Sequence, residues 1–143
     1  MNRYLLDTHV VIGLLTGNSE HLPDSIREDI ETFRYDYYVS AASLIEMTDK
    51  QQKKGEVIVP GDVEEWIGLL RERAVEVLDI TPDIVRRFSR EGIPESQVLK
   101  HKDPFDRLII ATALTHRLTL ISADRKFPWW QRYRKLSLCY LGE

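Results

Sequence analysis

The sequence predicts an α/β protein with a three-layer α/β/α arrangement, in which helices cover both faces of a mostly parallel central sheet. Short apolar runs alternate along the chain with segments whose apolar residues recur at helical spacing. Strands that are joined through helices run parallel within one sheet. The chain has 143 residues and neither an internal repeat nor an obvious linker, so residues 1–143 are predicted to form a single domain.

The predicted strands are short and rich in aliphatic and aromatic side chains. They cover residues 4–6, 37–39, 75–80, 118–121 and 136–141. In sheets of this kind, ligands bind at the carboxyl ends of the strands, near the point where the strand order reverses. Functional residues are therefore expected directly after the strands.

The predicted helices begin and end at residues that favour those positions. They cover residues 8–15, 23–33, 40–50 or beyond, 62–73 and 82–90, and another opens at Asp103-Pro104. Ser40 is a suitable N-cap, and Gly55 and Gly92 are suitable stops. A last helix around Trp129 and Trp130 is expected to pack against the body, although aromatic residues beside basic ones also suit stacking on nucleic-acid bases.

The composition excludes several classes of protein. No stretch approaches the ~20 apolar residues that a membrane span needs, and the first residues lack the layout of a signal peptide. Cys139 is the only cysteine, which excludes a disulfide framework and a thiolate zinc cluster. The sequence therefore predicts a cytoplasmic protein without a membrane partner.

Charge is distributed unevenly along the chain. Residues 1–85 hold 8 Lys and Arg against 17 Asp and Glu, a balance of −9, and residues 86–143 hold 12 against 6, a balance of +6; the two sum to the net charge of −3. A basic half suits a polyanion that passes over one side of the molecule. Solvated helix faces explain the same asymmetry equally well.

Four carboxylates lie where predicted strands end or helices carry buried residues. Asp7 follows the first strand, Asp124 follows the fourth, and Glu46 and Asp106 lie inside apolar helical segments. Asp106 shares a helix face with Ile110, so a buried helix would aim the carboxylate. Carboxylates rarely approach a core unless they are paired or bound to a metal.

Each acid also has an ordinary structural interpretation. Asp7 and Asp124 suit a cap or a turn, and Asp106 suits the positive end of a helix dipole. Glu46 suits an exposed position with an ion pair to Lys50 one helical turn later. If all four meet, however, two unit charges ~4 Å apart repel by roughly 4 kcal/mol at an effective dielectric constant of 20. Ligands that are all oxygen favour Mg²⁺ or Mn²⁺ over zinc.

The segments that carry these acids resemble, in the same order, the PIN-domain family and within it the VapC-like toxin ribonucleases. The resemblance spans almost the whole chain and rests on LLDTHV at 5–10, SAASLIE at 40–46, HKDPFDRLIIA at 101–111 and LTLISAD at 118–124. It implies a Mg²⁺- or Mn²⁺-dependent endoribonuclease whose catalytic and metal-binding acids are Asp7, Glu46, Asp106 and Asp124. Asp103, Thr8 and Ser122 match auxiliary positions beside these four.

The resemblance also implies partners. The chain would be the toxin of a type II toxin–antitoxin system, with an RNA substrate, a cognate VapB-like antitoxin that blocks the groove, and a homodimeric state. A metal-activated water would attack the phosphorus and leave a 5′-phosphate and a 3′-hydroxyl. Arg107, Arg125 and Lys126 are the candidates for contacting the RNA backbone.

Two other classes of function stay open at this point. An aspartyl-phosphate phosphatase or receiver domain also uses Mg²⁺ on a parallel sheet, but it needs an acidic pair at the first strand, and position 9 is His. A non-catalytic PIN-like module that binds RNA or protein would keep the scaffold without the chemistry. The presence of all four acids argues against that loss.

Overall fold

The computed structural model describes residues 2–18, 20, 22–55, 57–90, 103–134 and 136–142. Strands and helices alternate over most of this length, as the hydrophobic pattern predicts. The elements, in chain order, are β1 (Arg3–Leu6), α1 (Thr8–Thr16), α2 (Asp24–Glu31), β2 (Asp36–Ser40), α3 (Ala41–Lys54), α4 (Val63–Glu72), β3 (Val75–Leu78), α5 (Pro82–Arg90), α6 (Pro104–His116), β4 (Thr119–Ser122), α7 (Phe127–Arg134) and β5 (Leu138–Tyr140).

The five strands form one sheet in the order β3-β2-β1-β4-β5, and every neighbouring pair is parallel. The predicted fold class is confirmed. β1 is central: Leu6 is in register with Val39 of β2 and with Ile121 of β4. The residues that follow β1, β2 and β4 therefore meet at one edge of the sheet, where the strand order reverses.

The two faces of the sheet bury separate hydrophobic clusters, because successive side chains of a strand point to opposite faces. Leu6 packs with residues of α1, α3 and α4, among them Met47 and Trp66. Leu5 packs on the other face with residues of α6 and α7, among them Ile110 and Trp130. This division gives the three predicted layers and explains why the last helix is packed on the body.

The caps that the sequence predicts are present. The Ser40 side chain accepts a hydrogen bond from the Ala42 N–H at 3.0 Å, and α3 ends at Gly55 with a left-handed φ of 64°. Asp103 directly precedes Pro104, the first residue of α6, and its side chain accepts a hydrogen bond from the Phe105 N–H at 2.8 Å. These caps fix where Glu46 and Asp106 lie along their helices.

Three elements differ from the prediction by two residues or more at one end, each for a local physical reason. α2 ends at Glu31 rather than at residue 33, because Phe33 adopts a left-handed φ of 55° and is 60% exposed. β3 stops at Leu78 rather than at residue 80, because its partner β2 ends opposite it at Ser40. β5 is likewise limited to the three residues that face the end of β4.

Some predictions fall on parts of the chain that the structure does not describe. The stop near Gly92 and the residues His101 and Lys102 of the resemblance lie outside the described residues. Within the described ranges, no helix is both long and apolar enough to span a bilayer.

Candidate functional site

Asp7 lies between β1 and α1, at the edge where the central strands end. It caps α1: its Oδ1 accepts a hydrogen bond from the Thr8 N–H at 2.7 Å. Its Oδ2 accepts a second from the Ser122 hydroxyl, also at 2.7 Å, across the β1–β4 pair. Only 3% of the residue is exposed, so this carboxylate is held rigidly inside the protein.

Burial raises the pKa of Asp7 to about 7. The negative charges of Asp106 and Asp124 raise the pKa further, and the hydrogen bonds from Ser122 and Thr8 oppose the rise. The ionised form is thus costly near neutral pH in the absence of a cation. A proton or a metal ion near Asp7 would remove that cost.

Asp106 lies in the first turn of α6 and is buried. Burial raises its pKa to about 6, with Asp103 and Asp124 adding to the rise and Lys126 opposing it. The Lys126 ammonium lies 3.0 Å from Asp106 Oδ2, as an ion pair. It does not meet hydrogen-bond geometry, so within the described residues the buried Oδ2 lacks a hydrogen-bond partner.

Asp124 follows β4 and joins the same cluster. Its backbone N–H donates to the Ser122 hydroxyl at 3.0 Å, and its Oδ1 accepts from the Lys126 backbone N–H at 2.9 Å. Its Oδ2 lies 3.7 Å from the Lys126 ammonium. Ser122 thus contacts both Asp7 and Asp124, and Lys126 contacts both Asp106 and Asp124.

Glu46 is buried on α3, which packs against α1 and α6. Its carboxylate pairs with Lys50 at 3.5 Å, one turn later, as the ordinary interpretation of the sequence predicts, but the residue is buried and not exposed. In the described part of the chain, no hydrogen bond or ion pair joins Glu46 to Asp7, Asp106 or Asp124. The charges of Asp7, Asp106 and Asp124 interact with one another, and Glu46 lies on α3, the helix that packs against α1 and α6.

A pair of hydroxyls links this adjoining helix to Asp7. The Thr8 hydroxyl donates to the Ser43 hydroxyl at 3.0 Å, and both residues are buried. Ser43 lies one turn before Glu46 on α3. Sequence reasoning missed Ser43, although a serine three residues before a buried glutamate in an apolar helix was the available signal.

The remaining predicted residues have varied surroundings. Asp103 caps α6, and its charge contributes to the raised pKa of Asp106. The Arg107 guanidinium lies over the Phe88 ring, 4.5 Å from its centroid, and so joins α6 to α5. Arg125 is exposed in the turn after β4. Lys126, which stays a predicted RNA contact, also pairs with the carboxylates of Asp106 and Asp124; sequence reasoning missed these two contacts.

The donor set fits a hard divalent cation in its chemistry. The available ligands are carboxylate oxygens, and two of the acids, Asp7 and Asp106, have a raised pKa. Among the residues that the structure describes, the buried Oδ2 of Asp106 has no hydrogen-bond partner. Within the described ranges, however, no three acidic, histidine or cysteine side chains are grouped so that they could hold a metal ion. The positive charge between Asp106 and Asp124 belongs to Lys126.

Ser122→Ala is expected to lower the free energy of unfolding by about 1–3 kcal/mol, because a buried oxygen of Asp7 would lose its donor. Urea unfolding followed by tryptophan fluorescence measures the change. Ser137→Ala is the matched control, because it removes an exposed hydrogen bond of 2.7 Å between the hydroxyls of Ser137 and Thr119, at the start of β4. This variant should lower the free energy of unfolding by less than about 0.5 kcal/mol. Equal losses in the two variants would contradict the bridging role of Ser122.

The family model of the PIN domain matches residues 4–131 of the sequence. The match covers most of the chain and includes all four acids. The protein therefore belongs to the PIN-domain family. A comparison with curated proteins found no match.

Solved structures share the fold over nearly the whole chain. A DNA-bound VapBC from Salmonella typhimurium matches with a TM-score of 0.65 at 18% identity, covering 98% of each chain. VapBC2 from Rickettsia felis, bound to a DNA fragment from its promoter, matches with a TM-score of 0.64 at 18% identity, covering 96% of this chain and 97% of that one. VapBC-1 from nontypeable Haemophilus influenzae matches with a TM-score of 0.57 at 23% identity, covering 96% of each chain. At these identities the likeness concerns the fold.

Proposed function

We propose that this PIN-domain protein is a VapC-like toxin and an endoribonuclease that depends on Mg²⁺ or Mn²⁺. The observation that carries the proposal is the buried Asp7, which shares one sheet edge with Asp106 and Asp124. A fold alone does not define an activity. However, burial of Asp7 beside two further acids costs free energy, and that cost requires a chemical reason. The nuclease activity typical of PIN domains supplies that reason.

The residues proposed to hold the metal are Asp7, Asp106, Asp124 and Glu46. Glu46 is included because α3 packs against both α1 and α6. A different side-chain rotamer would let its carboxylate leave Lys50 and bind a metal ion. When bound, a divalent cation polarises a phosphoryl oxygen, lowers the pKa of water and stabilises the leaving oxygen. Water is the proposed nucleophile, and the products would carry 5′-phosphate and 3′-hydroxyl ends.

Other residues would orient these acids and the RNA. Ser122 holds one Asp7 oxygen and the Asp124 backbone, which keeps two acids in a fixed relation. Thr8 reaches Ser43 and so ties the start of α1 to the helix of Glu46. For the RNA backbone, Arg125 and Lys126 lie beside the acids and Arg107 lies one residue beyond Asp106, so these three are the proposed phosphate contacts.

The proposal includes a VapB-like antitoxin, a homodimer and a cytoplasmic site of action. The Salmonella typhimurium and Rickettsia felis structures that share this fold are VapBC proteins bound to DNA. VapBC-5 from Mycobacterium tuberculosis, which also shares the fold, is a member of the VapBC family of toxin–antitoxin systems. On this chain, Ile45 and Val57 are large apolar side chains exposed at 50% and 73%. A partner that covers such side chains would gain from burying them.

RNA cleavage by the purified protein tests the proposal directly. Structured RNAs are incubated with the protein in Mg²⁺ or in EDTA, and the new 5′ ends are identified by ligation that requires a 5′-phosphate, followed by sequencing. We expect cleavage in Mg²⁺, none in EDTA, and suppression when a co-expressed antitoxin is present. Cleavage that survives EDTA would reject the metal-dependent mechanism.

The alternative is a non-catalytic module that binds RNA or protein. Calorimetric titration with Mn²⁺ separates it from the nuclease. A protein that binds RNA, binds no divalent ion and leaves the RNA intact would establish the module and reject the enzyme.

A further inference from the structure

Lys126 places a positive charge inside the acidic cluster. Its ammonium lies 3.0 Å from Asp106 Oδ2 and 3.7 Å from Asp124 Oδ2. Its backbone N–H also donates to Asp124 Oδ1 at 2.9 Å, so the base of the side chain is fixed beside the acids. A single residue therefore contacts Asp124 twice and Asp106 once.

This contact differs from an ordinary surface ion pair. The carboxylate of Asp106 is 10% exposed, and within the described residues its Oδ2 has no hydrogen-bond donor. By contrast, the Lys53–Asp49 pair of α3 and the Arg86–Asp83 pair of α5 each join neighbouring turns of a single helix. Lys126 joins the turn after β4 to the first turn of α6, two elements that carry proposed metal ligands.

We infer that Lys126 is an internal cation that holds the place of the metal ion, and that a divalent ion must displace its ammonium in order to bind. The inference rests on the proposed function, since it concerns the same carboxylates. An ammonium and a divalent ion repel each other at short range and compete for the same oxygens. The Lys126 side chain is 38% exposed and flexible, so it can leave towards solvent without unfolding of the turn.

The competition lowers metal affinity and gives the metal-free site a neutralising charge. The ammonium lies against both Asp106 and Asp124, so it offsets the repulsion between their negative charges before a metal arrives. The ammonium then becomes free when the metal binds, next to the place where the RNA phosphate is proposed to lie. Lys126 would thus neutralise negative charge in the metal-free site and be available to the RNA phosphate once the metal is bound.

Metal affinity of Lys126→Met tests the competition. Methionine keeps the length and the apolar stem of the side chain but lacks the charge. Titration calorimetry with Mn²⁺ is expected to show binding about tenfold tighter or better than in the wild type, within the usual range of coupling between two sites. Lys53→Met is the matched control: it removes an exposed lysine charge whose partner, Asp49, is not a proposed ligand, and it should change the affinity less than about twofold.

Amine labelling of the wild-type protein gives a second readout that does not depend on a variant. The protein is treated with a limiting amount of an acetylating reagent, with and without saturating Mg²⁺, and modification at each lysine is quantified by mass spectrometry. Mg²⁺ is expected to increase labelling of Lys126 several-fold. Lys53, which pairs with Asp49 at 3.0 Å on α3, is the internal reference and should be unaffected.

The outcomes separate this inference from the nuclease proposal. The inference would be overturned by an unchanged Mn²⁺ affinity in Lys126→Met, or by labelling of Lys126 that is the same with and without Mg²⁺. Neither result would contradict the proposal that the wild type is a metal-dependent nuclease. Weaker Mn²⁺ binding in Lys126→Met would also overturn the inference, because removal of a competing cation cannot weaken the binding of the metal ion. Absence of metal binding and of RNA cleavage in the wild type would reject both.

Discussion

Asp7→Asn is expected to reduce RNA cleavage by about a thousandfold or more while the protein stays folded. The amide oxygen still accepts the hydrogen bond of the Thr8 N–H, and the amide nitrogen can donate to the Ser122 hydroxyl, so both contacts of Asp7 survive in form. The negative charge, which the proposed metal requires, is lost. Cleavage rates under single-turnover conditions, with saturating Mg²⁺, measure the effect.

The same variant should be more stable than the wild type in the metal-free state. The pKa of Asp7 is raised from 3.8 to about 7 by burial, so the folded protein is destabilised whenever this carboxyl is ionised. Each pH unit between the two values corresponds to about 1.4 kcal/mol. Asp7→Asn removes this cost, and at pH 8 it should raise the free energy of unfolding by a few kcal/mol. A variant that loses activity because it unfolds would show the opposite change.

Asp79→Asn is the matched control for both measurements. Asp79 follows β3 at the same edge of the sheet, but its side chain is exposed. The control should cleave RNA within about twofold of the wild-type rate and unfold within about 0.5 kcal/mol of it. Equal cleavage by Asp7→Asn and the wild type would remove Asp7 from the proposed chemistry.

Addition of Mn²⁺ is expected to stabilise the protein strongly at pH 8 and weakly at pH 5. Asp7 and Asp106 have pKa values raised to about 7 and about 6. A carboxyl whose pKa is raised on folding favours the folded state below its unfolded pKa, and that stability is lost as the pH rises through the folded pKa. The metal-free protein should therefore lose stability from about pH 4 to pH 7. Protons compete with Mn²⁺ in the same interval.

The size of the Mn²⁺ effect follows from mass action. A ligand at 100 times its Kd stabilises the folded state by about 2.7 kcal/mol, which corresponds to a rise in Tm of roughly 10 °C for a protein of this length. Thermal unfolding at pH 5 and at pH 8, each with Mn²⁺ and with EDTA, measures the difference. Asp7→Asn provides the comparison, because its shift should be small at both pH values. A rise in the wild-type Tm that is the same at pH 5 and pH 8 would contradict the raised pKa values.

Much of the fold is predictable from local features of the sequence. Ser40 and Asp103 are good caps, Gly55 is a good stop, and the short apolar run that ends at Leu6 favours a buried strand. Parallel pairing then brings the ends of β1 and β4 together, so Asp7 could be placed beside Asp124 before any coordinates existed. The end of α2 could not be placed, because the left-handed backbone of Phe33 has no signal in its own residue type.

The candidate site is less predictable because it depends on side-chain choices between distant partners. Glu46 has a lysine one turn away in sequence and other acids across a helix interface, and periodicity cannot decide between them. The position of Lys126 in the cluster depends on the turn after β4, which directs a long flexible side chain. The catalytic roles of the acids, the homodimer and the single domain over residues 1–143 stay predictions.

The hydrogen bond between Asp7 and Ser122 joins residues 115 positions apart in the sequence. Ribosomes add about 5–20 residues per second, so roughly 6–23 s separate the synthesis of the two partners. Of the four proposed ligands Asp7 is made first, and it stays without Asp106 and Asp124 until β4 and the turn after it have emerged. A growing chain would therefore leave the messenger RNA that encodes it intact until the turn that carries Asp124 has emerged.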